Sequence, residues 1–205
     1  MSAHPLKIDD FLDTASWQAL LQYFKDSVAF RYGWSSDKEV SEFAHWNCDF
    51  LGGAGVNQAN LEARLYANPA QVTIAAVWTR LKEFHLKGHA LVRCYANQHT
   101  YGVEGAPHID SREDGNYTTI LYIVPEWKAE WAGETVFFND EGDIVESVLP
   151  KPNRAITFNG TQLHSARSLA RICPNVRTTL MFKTVAPAIA AAGVTVNAPA
   201  LVAAS

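Results

Sequence analysis

Short segments of alternating apolar and polar residues repeat along the second half of the chain, and this pattern constrains the fold more than any other feature. The segments lie between His89 and Thr184 and are separated by turn residues. Period-two alternation places successive side chains on opposite faces of a strand. Many short strands at this spacing, with helices flanking them, predict a mainly β fold, the double-stranded β-helix or jelly roll that cupins share. The predicted strands are 89–95, 107–110, 117–124, 135–138, 144–149, 154–158, 163–168 and 177–184.

The first 88 residues contain two helical patterns. Apolar residues at helical spacing predict one helix from about Thr14 to Phe30, after an entry strand at 8–12 and with Asp13 or Thr14 as its N-cap. A second helix is predicted from about Ala70 to His85. Between them, residues 31–67 are irregular and rich in aromatic residues and glycine, which favours a connecting stretch over a lid that faces the substrate.

Length and composition indicate one catalytic domain. A chain of 205 residues, 48% of them hydrophobic, is long enough to bury a core and short for two domains. We therefore interpret the whole chain, 1–205, as a single domain with three parts. These are helical N-terminal support with a candidate lid (1–88), the double-stranded β-helix core (89–184) and an Ala-rich tail (185–205).

Charge and hydropathy exclude several partners. The formal net charge is −4 and the pI is near 6.0, which argues against nucleic acid, because phosphate binding needs a basic surface. The sequence has no apolar run of the roughly 18 residues that a membrane span requires, and its start has no signal-peptide core. Three cysteines without metal-ligand spacing predict reduced thiols and a cytoplasmic protein.

A candidate metal site combines two distant segments. His108 and Asp110 form an HxD pair, and residues i and i+2 of an extended segment project from the same face. His164 follows 54 residues after Asp110 and would close the triad from a remote strand. Two imidazoles and one carboxylate on one face of an octahedral metal are the ligands of non-haem Fe(II) oxygenases. HxD pairs also occur by chance, so the triad alone does not decide between a metal site and scattered polar residues.

A candidate anion clamp follows 13 residues after His164. Arg177 begins a strand in which Thr179 and Met181 share its face. A guanidinium grips a carboxylate through two parallel hydrogen bonds, and the Thr179 hydroxyl can add another. A dicarboxylate that chelates a metal at one end needs such a clamp at the other, whereas the alternative for Arg177 is a surface ion pair.

The ordered series of motifs resembles the Fe(II)- and 2-oxoglutarate-dependent oxygenases, in particular their compact prolyl-4-hydroxylase-like branch. The resemblance runs from about Ala90 to Thr184. Each motif is common alone, and their order is what makes the resemblance specific. The series comprises Leu91–Tyr95 leading to Tyr101, His108–Asp110, Thr118–Tyr122, Gly133–Thr135, Pro150–Phe158, His164 and Arg177.

The resemblance implies a role for each matching position. His108, Asp110 and His164 would ligate iron and form the catalytic centre, and Arg177 with Thr179 would bind the distal carboxylate of 2-oxoglutarate. Co-substrate contacts are also implied for two tyrosines and, more weakly, for a threonine, with a half-buried strand aromatic as the alternative for the tyrosines. These three residues are Tyr95, Tyr122 and Thr118.

Two departures from the family pattern affect these assignments. Many prolyl hydroxylases place a Lys or Arg nine or ten residues after the distal His, whereas here Arg167 and Arg171 lie inside a longer gap. Arg177 is preferred because it alone begins a clean strand. In addition, a Gly frequent in the Pro-Lys-x-Gly turn is replaced by Asn153, which tolerates positive φ, and the usual Gly-Gly-Glu is Ala-Gly-Glu at 132–134.

The resemblance implies oxidative decarboxylation of 2-oxoglutarate by O2 at Fe(II), giving succinate, CO2 and oxidation of a substrate C–H bond, with ascorbate as a candidate reductant. We expect hydroxylation of a small or amino-acid-derived molecule, with peptidyl proline as the alternative substrate and desaturation or ring chemistry as alternative outcomes. Trp127, Trp131 and Tyr101 are candidate substrate contacts, with capping of the core as the favoured alternative for the two tryptophans. The sequence leaves open whether the chain forms a homodimer.

Two other functions remain open at this stage. A cupin-type metalloenzyme that does not use 2-oxoglutarate more often has three or four histidine ligands and needs no carboxylate clamp. A jelly-roll binding module without turnover is the third reading. The remaining histidines, His4, His45, His85, His89 and His99, lack partners at ligand spacing and are not predicted to bind the metal.

Overall fold

The structure, a computed structural model, describes residues 4–35, 43–53 and 59–187. Within these ranges it contains three α-helices and ten strands. The helices are α1 (Thr14–Asp26), α2 (Leu61–Ala67) and α3 (Val72–Phe84). The strands are β1 (Leu6–Ile8), β2 (Arg31–Trp34), β3 (His45–Leu51), β4 (Ala90–His99), β5 (Asn116–Tyr122), β6 (Thr135–Phe138), β7 (Ile144–Val148), β8 (Ala155–Asn159), β9 (His164–Ala166) and β10 (Arg177–Val185).

The strands form two antiparallel sheets. The major sheet has the order β1-β8-β5-β10-β4-β3-β2, and the minor sheet has the order β7-β6-β9. β10 lies at the centre of the major sheet, where it places Arg177 opposite His99 on β4 and Thr179 opposite Tyr122 on β5. The predicted double-stranded β-helix is confirmed.

Period-two alternation divides the side chains of the major sheet between two cores. Leu180 and Phe182 of β10 belong to the core beneath the helices, which also contains Trp78 of α3. Met181, between them in sequence, faces the core enclosed by the two sheets, together with Tyr95 and Tyr122. The inner face of β10 therefore points into the space where a ligand can bind.

The predicted strand 135–138 agrees with β6, whereas three strands near the site and the entry strand differ from their predicted bounds. Strand 89–95 was predicted too short, because β4 continues to His99. Strand 107–110 is wrong in extent, since only His108 forms an isolated bridge, with His164. Strand 163–168 is reduced to β9, and the entry strand predicted at 8–12 lies earlier, at β1.

The N-terminal half contains more β structure than predicted. Helix α1 begins where expected, with the Asp13 side chain accepting a hydrogen bond from the backbone N–H of Ser16 at 2.9 Å, but it ends at Asp26 instead of Phe30. The interpretation of residues 31–67 as an irregular connection is wrong for the described part. That part contains β2, β3 and α2, and β3 pairs with β4. Residues 36–42 and 54–58 of the candidate lid lie outside the described residues.

The reason β3 escaped prediction lies in its buried face. Its inward residues include His45 and Asn47, so the strand lacks apolar alternation.

Residues 188–205 of the predicted tail also lie outside the described part of the chain. Within the described ranges, no helix is both long and apolar enough to cross a membrane.

Asn153 anchors the N-terminal segment to the turn before β8. Its φ is +55°, which confirms the expectation that Asn can replace Gly in this turn. The side chain accepts a hydrogen bond from Leu12 N at 2.9 Å and donates one to Leu12 O at 2.7 Å. This buried amide thus joins residues 141 positions apart in the sequence.

Candidate metal centre and co-substrate pocket

The predicted triad converges in the structure. His108, Asp110 and His164 each offer a ligand atom, and these atoms lie within 4.8 Å of one another. The backbones of the two histidines exchange reciprocal hydrogen bonds, His108 N to His164 O at 2.9 Å and His164 N to His108 O at 3.0 Å. Backbone pairing therefore sets the separation of the two imidazoles.

The protonation of both rings suits a cation. Nδ1 of His108 lies 2.8 Å from Ala106 O, and Nδ1 of His164 lies 2.9 Å from Gln162 O. A carbonyl only accepts, so each Nδ1 donates and Nε2 of each ring is the nitrogen that faces Asp110. These nitrogens lie 3.5 Å and 3.6 Å from oxygens of Asp110. Three converging acceptors of this kind fit a divalent iron with open coordination positions.

Cationic and hydroxyl donors hold the Asp110 carboxylate. The Thr118 hydroxyl donates to Asp110 Oδ2 at 2.5 Å, and Lys183 forms an ion pair with the same oxygen. Burial acts to raise the pKa of Asp110, but Lys183 and the neighbouring histidines outweigh it, so the net pKa lies well below the usual range. Burial lowers the pKa of His164 to about 4, against the raising effect of Asp110. The triad thus has an ionised carboxylate and a neutral His164 at neutral pH.

Arg177 forms a buried clamp at the opposite end of the site. The residue is only 2% exposed. Its Nε donates to Gly133 O at 2.7 Å and its Nη2 to Thr135 Oγ1 at 2.8 Å. Burial lowers the pKa of Arg177, but a guanidinium stays protonated at neutral pH. By contrast, Arg167 and Arg171 are exposed, which agrees with the preference for Arg177.

Both ends open into one cavity. Its lining includes His108 and His164 from the triad, and Arg177, Thr179 and Met181 from one face of β10, as the alternation predicted. Tyr95 also lines this cavity, where the resemblance placed it. One bound molecule could therefore contact a metal held by the triad and also place a carboxylate against Arg177.

Tyr122 lies beside the clamp, and Thr118 lies at the metal end of the site. Tyr122 is fully buried behind the clamp, and its hydroxyl hydrogen-bonds the cavity-lining Thr135 at 2.7 Å. Burial raises the pKa of Tyr122, so the phenol stays neutral and can orient Thr135. Thr118 lies at the metal end on Asp110, away from the clamp.

The three candidate substrate contacts do not line the described cavity. Trp131 is 5% exposed, and Trp127 packs edge-on against it with its indole N–H bonded to Ala132 O at 2.9 Å. Trp127 lies beside Gly133, whose carbonyl accepts the Arg177 hydrogen bond, so it packs next to the clamp. Tyr101 is 61% exposed. The structure therefore favours the core-capping alternative for Trp127 and Trp131.

Sequence reasoning missed other residues of the site. Lys183 follows Arg177, Thr179 and Met181 at period two, so the alternation of β10 could have placed it on the cavity side. Asn97 and His99 continue the Tyr95 face of β4, and ending the predicted strand at residue 95 removed them. His45 lines the same cavity from β3, which was not predicted as a strand.

Comparison with known families agrees with this geometry. Residues 91–182 match the model of the 2OG-Fe(II) oxygenase superfamily. Over this range, 92 of its 205 residues, the chain is similar to that superfamily. The match and the converging triad support a 2-oxoglutarate-dependent Fe(II) dioxygenase, with Fe(II) as cofactor and 2-oxoglutarate and O2 as co-substrates. The matched range begins on β4 and ends on β10, and so contains the triad and the clamp.

Solved structures share the fold at low sequence identity. One is a prolyl hydroxylase from Trichoplax adhaerens in complex with a hypoxia inducible factor oxygen degradation domain peptide fragment. It is 16% identical with a TM-score of 0.61, and the match covers 95% of this chain and 89% of that chain. A Pseudomonas putida prolyl-4-hydroxylase is 15% identical with a TM-score of 0.57, covering 89% and 92%.

The 2-oxoglutarate-dependent epimerase SnoN from nogalamycin biosynthesis is 14% identical with a TM-score of 0.55, covering 89% of this chain and 78% of that chain. At these identities the likeness establishes the fold alone. A comparison with curated proteins finds no significant match.

Proposed function

We propose that the protein hydroxylates a C–H bond of a small or amino-acid-derived molecule and releases succinate and CO2. One observation carries this proposal: two imidazoles of the converging triad and a buried guanidinium line the same cavity. A keto-diacid can chelate a metal through its keto-acid end while its far carboxylate meets Arg177. A cupin site without 2-oxoglutarate would have no use for a buried cation in that position.

The chain's own residues bind and orient the co-substrate. Arg177 uses one donor for Gly133 O and one for Thr135 Oγ1 and also interacts with Tyr122, so part of its five-donor fork can still bind a carboxylate. Thr179 adds a hydroxyl on the same face of β10. Apolar lining from Ile120 and Met181 excludes water from the space between the two ends.

Three protein ligands leave metal positions for the co-substrate and O2. Iron bound at His108, Asp110 and His164 would supply the O2-dependent decarboxylation and the C–H oxidation. Asp110 supplies the third protein ligand, and with this carboxylate in place no position is left for a halide. Hydroxylation is accordingly proposed over halogenation.

The cavity supports a small substrate over a long one. Its described lining is closely packed: Tyr95 is 6% exposed, Met181 7% and His99 3%. Peptidyl proline is the second candidate, and it is favoured by the prolyl hydroxylases among the structural neighbours. Because an epimerase of nogalamycin biosynthesis shares the same fold, the fold alone does not choose between these two classes.

An anaerobic titration tests the proposal. Fe(II) and 2-oxoglutarate together should produce the weak visible charge-transfer band of a chelated keto-acid, and His164→Ala should abolish it. His85→Ala is the matched control, because His85 lies in the helical half and does not line the cavity. If saturating Fe(II) and 2-oxoglutarate gave no band, the cupin or binding-module interpretation would replace this one. Succinate release with a metabolite library would then identify the substrate.

Ascorbate dependence and a cytoplasmic location are further parts of the proposal. The described cysteines Cys48, Cys94 and Cys173 are free thiols, which supports a reducing compartment where iron stays ferrous. Ascorbate would re-reduce iron after turnover without substrate. We expect ascorbate to increase the number of turnovers per enzyme, measured as succinate formed in a fixed amount of time.

A further inference from the structure

The cavity has a polar wall that neither the triad nor the clamp uses. We define this imidazole wall as His45, Asn97 and His99, all of which line the cavity. His45 begins β3, and the other two lie on β4, which pairs with it. The rings of His45 and His99 are stacked with centroids 4.6 Å apart and an interplanar angle of 25°. Two paired strands thus present two imidazoles side by side.

The wall is buried and carries polar atoms without partners. His45 is 1% exposed and His99 is 3% exposed. Nε2 of His45 and Nδ1 of His99 are among five buried side-chain N or O atoms in the described ranges that make no hydrogen bond. The Asn97 side chain approaches the His45 ring, but without hydrogen-bond geometry at Nε2. Leaving such an atom unsatisfied is unfavourable, so two in one cavity point to a ligand.

The proton of His45 can be placed from its one hydrogen bond. Nδ1 lies 3.2 Å from the Phe43 carbonyl oxygen, which can only accept. The proton therefore lies on Nδ1, and Nε2 presents a lone pair to the cavity. A ligand group that meets this atom must donate a hydrogen bond. Nδ1 of His99 donates or accepts, according to which ring nitrogen carries its proton.

Both imidazoles are neutral at neutral pH. Burial lowers the pKa of His45 to about 4, although the Phe43 carbonyl acts in the opposite direction. Burial, followed by the nearby charge of Arg177, lowers the pKa of His99 well below its usual value. Two neutral rings cannot neutralise an anion as Arg177 can, so the wall and the clamp are suited to different groups.

We propose that the imidazole wall binds the primary substrate and recognises an uncharged hydrogen-bond donor on it, a hydroxyl or an amide N–H, in preference to a carboxylate. This inference rests on the proposed function, because it assigns the clamp to 2-oxoglutarate and the wall to the second ligand. A substrate amide also offers a carbonyl, which can accept from His99. A substrate carboxylate would place acceptors against the lone pair of His45.

Paired probes test this preference without turnover. N-acetyl amino-acid amides and the matching N-acetyl amino acids, with proline, leucine, arginine and phenylalanine side chains, differ only in the terminal group. They would be added to protein loaded with Mn(II) and 2-oxoglutarate, and binding near the metal would be measured as enhanced relaxation of the probe protons. At least one amide should bind about tenfold more tightly than its acid, as expected for one well-satisfied buried hydrogen bond.

Variants assign the preference to the wall. His45→Leu and His99→Leu should each remove most of the amide preference, while the 2-oxoglutarate affinity changes less than twofold. His45→Gln keeps a polar side chain and should retain part of the preference, and it serves as the second variant if His45→Leu does not fold. His85→Leu is the matched control and should change neither affinity.

Several outcomes would overturn the inference. They are equal or tighter binding of the acids, amide binding unchanged by both Leu variants, or a 2-oxoglutarate affinity that falls with the wall variants. A 15N chemical shift showing a protonated His45 Nε2 in the wild-type protein would also overturn it. Each of these results is compatible with an intact charge-transfer band, so failure of this inference is distinguishable from failure of the proposed function.

Discussion

Removing the Arg177 guanidinium should weaken 2-oxoglutarate binding far more than it changes the rest of the protein. The group is 2% exposed and keeps donors for a ligand besides those that meet Gly133, Thr135 and Tyr122. Two charge-assisted hydrogen bonds to a carboxylate, each about 1.5–3 kcal/mol and not additive, give an expected loss of about 2–4 kcal/mol for Arg177→Ala. This corresponds to a roughly 30- to 700-fold rise in Kd.

The assay is the anaerobic titration of Fe(II)-loaded protein with 2-oxoglutarate, followed by the charge-transfer band. Arg177→Lys keeps the charge but loses the planar fork, so we expect a Kd between those of the wild type and Arg177→Ala. Arg171→Ala is the matched control, because Arg171 is exposed. Unfolding of each variant would be measured in parallel, since Gly133 O and Thr135 also lose a donor. A folded Arg177→Ala protein with unchanged Kd would refute the reasoning and transfer the clamp to another cation.

Three further predictions concern stability. Asn153→Ala should lower the free energy of unfolding by roughly 2–4 kcal/mol in urea titrations, because it removes two buried hydrogen bonds and places Ala at φ +55°. Ala132→Gly should raise it by about 1 kcal/mol, measured in the same way, since Ala132 has φ +55° and ψ −141°; no gain would show that the turn is unstrained. The folded pKa of His45 is about 4, below the ordinary value near 6.5, so between these two values the unfolded chain binds more protons and the stability decreases as the pH is lowered. Metal-free wild type should lose about 2 kcal/mol more than His45→Leu between pH 7 and pH 5, compared by urea unfolding at both values.

The parts of the fold that could be predicted from the sequence are those where alternation and burial agree. β10 is an example, because its inner residues Arg177, Thr179 and Met181 and its outer residues Leu180 and Phe182 separate cleanly. β3 could not be recognised, since it buries polar residues toward the cavity and so lacks the apolar period on which the prediction depends. The same polar burial defines the imidazole wall, so the residues that hid the strand are also those that line the cavity.

The site itself could be predicted only in part. The HxD spacing and the ordered motifs were enough to select the residues that converge at the metal position. The sequence could not show which side chains from different strands contact one another. Lys183 reaches Asp110 because β10 and β5 are neighbours, and Tyr122 reaches Thr135 across the two sheets. Such contacts depend on sheet order, which local periodicity does not encode.

The reciprocal backbone bonds between His108 and His164 have a consequence for metal exchange. Since main-chain pairing fixes the spacing of the two rings, the frame of the site is present before any ion arrives, and loss of the ion need not unfold it. Iron could then leave and return on a rigid template, and a competing ion of different preferred geometry would have to adapt to the protein. The selectivity of this preformed site among divalent ions would then depend mainly on how well the preferred coordination geometry of each ion fits the fixed ligands.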